Sequence, residues 1–490
     1  MAAFTTGIVL RGEYIEDNLI EFSGRGGNTT FRIPDPHVYA DRFSLRDSTS
    51  LADLYDLSFE DILDYLEELG GRLIVSENEY LDQARQASYL TSPVTPPIVD
   101  WNYEIIPAFF ERQTLRQMVE EPLGSIDYLE GWVETTLVNG EKVRVRAFGA
   151  RAVHIIAGNH PVPGLLAVIR NALTRSDTLI KLPSNDPLFS LALARTMCDM
   201  APDHPLTKHL AVAYWKGGDT EVEEQIYNPA SVEKIVAWGG LHSIRHVARF
   251  MQPGMDLVTL DPKRSASVIG EEAFENEETM RDVAQRVACD IGAENQVGCV
   301  NARVVYVMSG TDHEGLANLN KLADYSYEAL LKLPSQISTK PKHGINPKLK
   351  AKLDSCRLDG ESYHVVGGND DEGAIVVSQQ PDPVDYWDLL NDRVANFVPI
   401  NGVDDALKYF DAYTQTVGIY PESLKDSLKD IVPLFGAQRL VSLGYVGGSF
   451  AFATPHDAVE PVRRMVKWIV DEEADPSVIP PLWELHAQLT

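Results

Sequence analysis

Apolar positions in this chain recur with two different periods, and the change from one to the other divides it. In residues 58–69 (SFEDILDYLEEL), Ile62, Leu63, Leu66 and Leu69 share one helical face, and Ser58 stands three residues before Asp61 as in a capping box. The pattern predicts an amphipathic helix that stops at Gly70-Gly71. A second helical region is predicted over roughly 104–121, followed by alternation from 132 to 146 around Asn139-Gly140, which reads as a hairpin and a candidate interface arm. From Arg151 onward, short apolar runs alternate with helical stretches: AVHIIAG, PGLLAVIRNALT, TLIKLP, a helix near 188–200, then LAVAYW, VEKIVAWGG, MDLVTLD and SASVIG. That alternation predicts βαβ units, a parallel sheet and a doubly wound nucleotide-binding domain. After Glu277, a helix running to about Cys289 leads into NQVGC and an apolar strand over 304–308, which opens a second α/β unit. Cys299 falls at the junction between the two.

Length agrees with more than one core. At 490 residues the chain exceeds the size at which a single core keeps growing. The expected division is a helical region with the hairpin arm over 1–145, a nucleotide-binding domain over 146–266, a thiol-bearing domain over 267–440 and a returning C-terminal segment over 441–490. An apolar fraction of 44% and a charged fraction of 23% are those of an ordinary globular protein. A formal charge of −29 repels phosphate backbones and anionic headgroups, which argues against a nucleic-acid or membrane-surface role. Any polyanionic ligand must therefore be met by local Lys, Arg or helix N-termini. Four cysteines, Cys198, Cys289, Cys299 and Cys356, with no CxxC and no close histidine, predict neither a disulfide framework nor a metal site. With no basic, apolar leader and no run of eighteen apolar residues, the expected location is the cytoplasm of the cell.

Candidate chemistry gathers at strand ends. Cys299 lies in GAENQVGCVNARVVYV, a polar turn followed at once by a buried strand, where a scaffold presents a thiol to a cleft. Cys198 and Cys289 sit in helical stretches and read as packing residues. Gly158 and Asn159 end the strand of VHIIAGNHP, at the carboxyl edge where α/β ligands bind; an amide there either satisfies a turn or donates to an oxyanion. Lys181, with Ser184 three residues on in KLPSNDP, places a cation suited to ribose hydroxyls or a phosphate at the next strand end. Gly239-Gly240 in AWGG lets backbone approach a pyrophosphate, although no GxGxxG fingerprint is present.

Taken in order, GNHP, KLPSNDP, AWGG, VTLDPKRSAS, NQVGC and TPHDAVEPVRRMVKWI resemble the acyl-CoA reductases of bacterial bioluminescence operons, the LuxC type, a branch of the aldehyde dehydrogenase superfamily. The resemblance spans roughly residues 63 to 472. It implies an α/β, aldehyde dehydrogenase-like fold: a Rossmann-type nucleotide-binding domain, an α/β catalytic domain and a small oligomerisation element, in a homodimer or homotetramer. It further implies Cys299 as nucleophile, Asn159 as oxyanion donor, Lys181 on the adenosine ribose and Gly239-Gly240 near the pyrophosphate. Ser184 stands where the dehydrogenases often carry a Glu that repels a 2′-phosphate, so the expected cofactor is NADPH, with NADH not excluded. His456 matches a histidine of the C-terminal motif, for which proton transfer and a structural bond are both open; Ala458 stands where the family more often has Gly.

The resemblance also carries a departure. Where thioester-hydrolysing dehydrogenases hold a general-base Glu, this chain reads Asp261, whose carboxylate is set back by about 1.5 Å. A thioester that escapes hydrolysis is open to exchange with coenzyme A, so the expectation is NAD(P)H-dependent reduction of an acyl-CoA to the aldehyde. The rivals are an aldehyde dehydrogenase with Asp261 as base, and an acyltransferase that uses Cys299 without a nucleotide.

Overall fold

Five parallel strands run from one edge of the first large sheet, in the spatial order Asp256–Leu260, Lys234–Trp238, Arg151–Ile155, Asp177–Lys181 and Leu210–Ala213. The earliest of them in the chain is central, with its successors on one side and the later pair on the other. A topological switch point therefore lies between Arg151–Ile155 and Lys234–Trp238, where α/β sheets open a ligand crevice at the carboxyl edge. The loops leaving those two strands hold Gly158-Asn159 and Gly239-Gly240. Helix Val162–Leu173 connects the first two strands and is buried along nearly its whole length.

The structure, a computed structural model, describes residues 2–24, 29–260, 263–447 and 453–484. A second large sheet runs Tyr363–Gly367, Ala374–Ser378, Val394–Pro399, Ala302–Val307, Arg264–Ile269, Thr414–Tyr420 and Arg439–Ser442. Its β-branched strands are packed on two sides by separate buried clusters, as a sheet covered on both faces requires. Helix Glu277–Gly292, capped by Asn276 accepting from the Thr279 N–H, feeds the segment that carries Cys299 into the strand Ala302–Val307. The fold is thus α/β with mixed sheets.

Two expected elements differ in extent. Helix Phe59–Arg72 has the expected capping box, with Ser58 Oγ accepting from the Asp61 N–H and Asp61 Oδ2 accepting from the Ser58 N–H, yet it runs through Gly70-Gly71 instead of stopping there. Gly70 is needed for packing: a Cβ at that position would stand 2.4 Å from Cβ of Phe110. The second helical region is broken into Pro96–Glu104, a short turn Ile106–Phe110 and Arg112–Leu123, because Pro107 interrupts the run.

The N-terminal region also carries strands beside its helices. Ile8–Leu10 adds antiparallel to Leu210–Ala213, and Glu13–Ile15 pairs with it, so the first sheet reaches seven strands. A small sheet of Ala2–Thr5, Thr29–Pro34 and Leu19–Ser23 packs Phe22 and Phe31 edge-on against Tyr214, at 4.8 and 5.0 Å between ring centroids. The hairpin Val133–Thr136 with Lys142–Gly149 turns through Asn139-Gly140, and Val466–Glu473 from the far end of the chain pairs along all of Lys142–Gly149. Among the described residues, no helix is long and apolar enough to cross a membrane.

Candidate active site

The segment that delivers Cys299 is bent in a way few side chains tolerate. Glu294 (φ 50°), Asn295 (φ 54°) and Gln296 (φ 66°) are three consecutive left-handed residues, a conformation costing about 1–2 kcal/mol each for a residue with a Cβ. Surrounding bonds compensate. Asn295 Oδ1 accepts from the Thr339 N–H at 2.8 Å, and Gln296 Nε2 donates to the Ala302 and Val394 carbonyls at 2.9 and 3.1 Å while its Oε1 accepts from the Val394 N–H at 3.0 Å. Asn301 Oδ1 accepts from the Gly298 N–H and its amide donates to the Ala293 carbonyl. The thiol loop is thereby over-determined by its own side chains.

At its end, Gln415 Nε2 donates to Cys299 Sγ at 3.2 Å and with its other hydrogen to the Asp457 carboxylate. Ser265, next to the basic pair Lys263-Arg264, donates to the Cys299 carbonyl at 2.7 Å. Arg303 is spent on the Gln296 and Asn301 carbonyls and faces the thiol electrostatically. Burial pushes the Cys299 thiol up from its usual value and the Asp457 carboxylate adds to this, while the Gln415 bond and Arg303 oppose it. The resting group is a protonated thiol.

His456 stands beside this bridge. Its backbone pairs with Val459, its ring lies 5.7 Å from that of Trp238, and its Nε2 is 3.7 Å from Asp457 Oδ1. Burial pulls it below the ordinary histidine value; Arg170, Arg439 and Lys263 act in the same direction and Asp457 opposes them, so the ring is neutral near pH 7. Trp238 immediately precedes Gly239-Gly240, so the C-terminal motif joins the AWGG turn to the nucleophile. On the other flank, His160 Nε2 meets Glu294 Oε1 at 2.9 Å, which brings the Gly158-Asn159 loop to the thiol loop. Asn159 itself is exposed and lines a small cavity with His160, Asn185, Asp186, Ser92 and Tyr103.

Lys181 and Ser184 lie elsewhere, at the end of Asp177–Lys181. The Lys181 ammonium sits 5.5 and 5.3 Å from the ring centroids of Tyr214 and Trp215, and burial draws it down to about 8 against the opposing pull of Glu223. Glu223 is itself held by His246 Nε2 at 2.7 Å and the Gly218 N–H at 3.2 Å, and among the described residues no carboxylate is hydrogen-bonded to Lys181. A Cβ placed on Gly240 meets nothing within 4 Å. A half-buried cation with no bonded carboxylate among the described residues and the open Gly240, both at the carboxyl edge of one sheet, fit a polyanionic dinucleotide.

Of the other sequence candidates, Asp261 lies outside the described residues. Among the described residues no cluster of three His, Cys, Asp or Glu could hold a metal ion. Gln415, Asp457, Ser265 and Glu294 were missed by sequence reasoning. Asp457 adjoins His456 in the quoted motif and Glu294 is part of AENQVGC, whereas nothing local marks Gln415 in DAYTQTVGIY.

The sequence matches the model of one family, acyl-CoA reductase (LuxC), over residues 54–468. A long-chain acyl-protein thioester reductase of Vibrio harveyi is 26% identical over 479 residues, covering 95% of this chain and 92% of that protein. The protein of the same name from Aliivibrio fischeri is 28% identical, over 74% of this chain and 71% of its own length. Among solved structures, an NADP-dependent glyceraldehyde-3-phosphate dehydrogenase from Bacillus halodurans, complexed with NADP, superposes with a TM-score of 0.69 at 12% identity, covering 96% of this chain and 99% of that one. At that identity the likeness shows the fold, which is that of the aldehyde dehydrogenases.

Proposed function

The chain belongs to the acyl-CoA reductase (LuxC) family, and on that premise we propose that it reduces a long-chain acyl-CoA to the aldehyde with NADPH, carrying the acyl group on Cys299. The observation that supports this most directly is the convergence on the thiol loop of both strand-end loops from the switch point, one through His160 and Glu294, the other through Trp238 and His456.

The residues present fit a nicotinamide dinucleotide: Lys181 and Ser184 would hold the adenosine ribose and Gly239-Gly240 would lie against the pyrophosphate. When bound, that cofactor supplies the hydride. The chain's own groups do the rest. Cys299 Sγ forms a bond to the acyl carbon as the carbon–sulfur bond to coenzyme A breaks; the thiol proton is lost and the departing thiolate takes one up, so the exchange is proton-neutral. The Asn159 amide donates to the oxyanion, a role typically worth about 3 kcal/mol per donor. After reduction the adduct collapses, the aldehyde leaves, and the freed thiolate is held by Gln415 Nε2 until it regains a proton. Neutral His456 is placed to take up or return that proton through Asp457 and solvent. The absence of a carboxylate at Ser184 and the cationic Lys181 favour NADPH, with NADH admitted.

A protein-bound acyl thioester is the alternative donor, since the relatives are named for one. A panel of acyl-CoA esters and acyl-protein thioesters, assayed in parallel with NADPH and NADH, tests the reading by its product. Aldehyde formed from acyl-CoA with NADPH is expected. Free acid produced without a thioester donor would favour a dehydrogenase, and failure of either nucleotide to bind in a fluorescence titration would favour an acyltransferase. The exposed apolar side chains Val138, Ile469 and Val470 on the three-stranded arm support a homodimer or homotetramer.

A further inference from the structure

His160 occupies the last position but one before helix Val162–Leu173, and its ring is fixed from both sides. The Val162 N–H donates to Nδ1 at 3.1 Å, so the proton sits on Nε2, which faces Glu294 Oε1 at 2.9 Å in the other domain. Of the three left-handed residues leading to Cys299, Asn295 and Gln296 spend their side chains within their own domain. Glu294 sends its carboxylate across the boundary, while its N–H is pinned to the Ile337 carbonyl at 2.8 Å. Asn159 is the residue before His160, and Cys299 follows Glu294 by five. Each loop therefore carries one proposed reacting group and one partner of the same hydrogen bond.

We propose that His160 and Glu294 form an interdomain latch that sets the Asn159 amide against the Cys299 thiol, and that both are positioning residues for acylation and reduction at that sulfur. The inference rests on the thioester reading given above. Neither residue needs to touch the substrate. Because the fixed φ of Glu294 aims its side chain, cutting the pair releases the spacing of two loops without removing either reacting group. A misplacement on the order of 1 Å costs about 100-fold in rate, with little reason for substrate affinity to change.

The test compares Glu294→Ala and Glu294→Gln with the wild-type full chain. In Glu294→Ala, kcat for acyl-CoA-dependent NADPH oxidation falls by about 10- to 100-fold while both KM values stay within about twofold. Glu294→Gln, whose amide oxygen still accepts from Nε2, recovers most of that loss. A second readout is independent of turnover: iodoacetamide alkylates Cys299 about threefold faster or more in Glu294→Ala, because the loop is no longer tethered across the cleft. Unchanged kcat together with unchanged alkylation overturns the latch, as does a loss confined to KM. If wild-type protein oxidises no NADPH with acyl-CoA or with an acyl-protein thioester, the thioester reading fails, and the alkylation rates alone still decide whether the latch exists.

Discussion

The loop that carries Cys299 and the strand ends of the first large sheet are built on opposite plans. On the thiol side, residues 293–303 hold a strained backbone in place with Asn295, Gln296, Asn301 and Arg303, each bonded to neighbouring backbone or side chains. On the nucleotide side, Gly240 opens into space, helix Leu241–Ala248 buries little beyond Val247, and Lys181 rests on two aromatic rings with no carboxylate bonded to it among the described residues. One side is finished before any ligand arrives; the other is completed by what binds. Damage to the first should appear in kcat and stability, and damage to the second in cofactor affinity.

The largest effect breaks the thiol side outright. Cys299→Ala removes the only group in the mechanism that carries the acyl chain, and it is expected to lose on the order of 10⁴-fold or more in thioester-dependent NADPH oxidation, along with all acyl labelling. NADPH binding, measured by fluorescence, is expected to remain. Full turnover in this variant would move the chemistry to another residue.

A step smaller is Gln296→Ala. The substitution strips the Gln296 amide from the Ala302 and Val394 carbonyls in a fully buried site, and leaves the Val394 N–H with the Asn391 carbonyl alone. Unmet buried groups cost about 1–3 kcal/mol each and do not add fully, so a loss of about 3 kcal/mol in a urea melt is expected. With the brace gone, kcat is expected to fall at least about tenfold. A variant with wild-type stability and rate would show that the left-handed run holds itself.

This difference between the sides also explains what the sequence makes legible. Short-range signals suffice where chain neighbours interact: Ser58 and Asp61 cap each other as the spacing predicts, and the strand, loop and helix order around GNHP, KLPSNDP and AWGG follows from local patterning. Long-range packing is invisible to such signals. Gly70 looks like a helix stop until Phe110, forty residues away, takes the space of its missing Cβ. Ile8–Leu10 finds its partner strand about two hundred residues later, so the N-terminus shows no sign of its sheet. Gln415 has nothing in its neighbourhood to mark it, because its two partners, Cys299 and Asp457, come from distant segments.

The nucleotide side is probed by pH. Lys181, drawn down to about 8 by burial, is a cation below that value and loses its charge above it. A cofactor phosphate or ribose held by that ammonium is bound most tightly while it is charged, so KM for NADPH is expected to stay level up to about pH 8 and to climb severalfold by about pH 10. Lys181→Arg keeps its charge throughout and should flatten the rise, whatever its absolute affinity. A climb that persists in the arginine variant would assign the titration to another group. Since the thiol side is already complete, kcat at saturating NADPH should not follow the same curve.

The smallest effect lies where the two sides are joined. Ala458 adopts φ 60° directly after Asp457 at φ 51°, in the motif that carries His456 between Trp238 and the nucleophile. A left-handed Ala is strained where Gly is not. Ala458→Gly is expected to stabilise the fold by about 0.5–1 kcal/mol, only about 1 °C in melting temperature for a chain of this length. The relief comes with freedom, however. A glycine beside Asp457 loosens the hold of that carboxylate on Gln415, so Cys299 alkylation should quicken slightly while the melting point rises. Stability and thiol reactivity moving up together would mark Ala458 as strain retained at the join; a drop in melting temperature would mean that packing, not backbone conformation, decides this position.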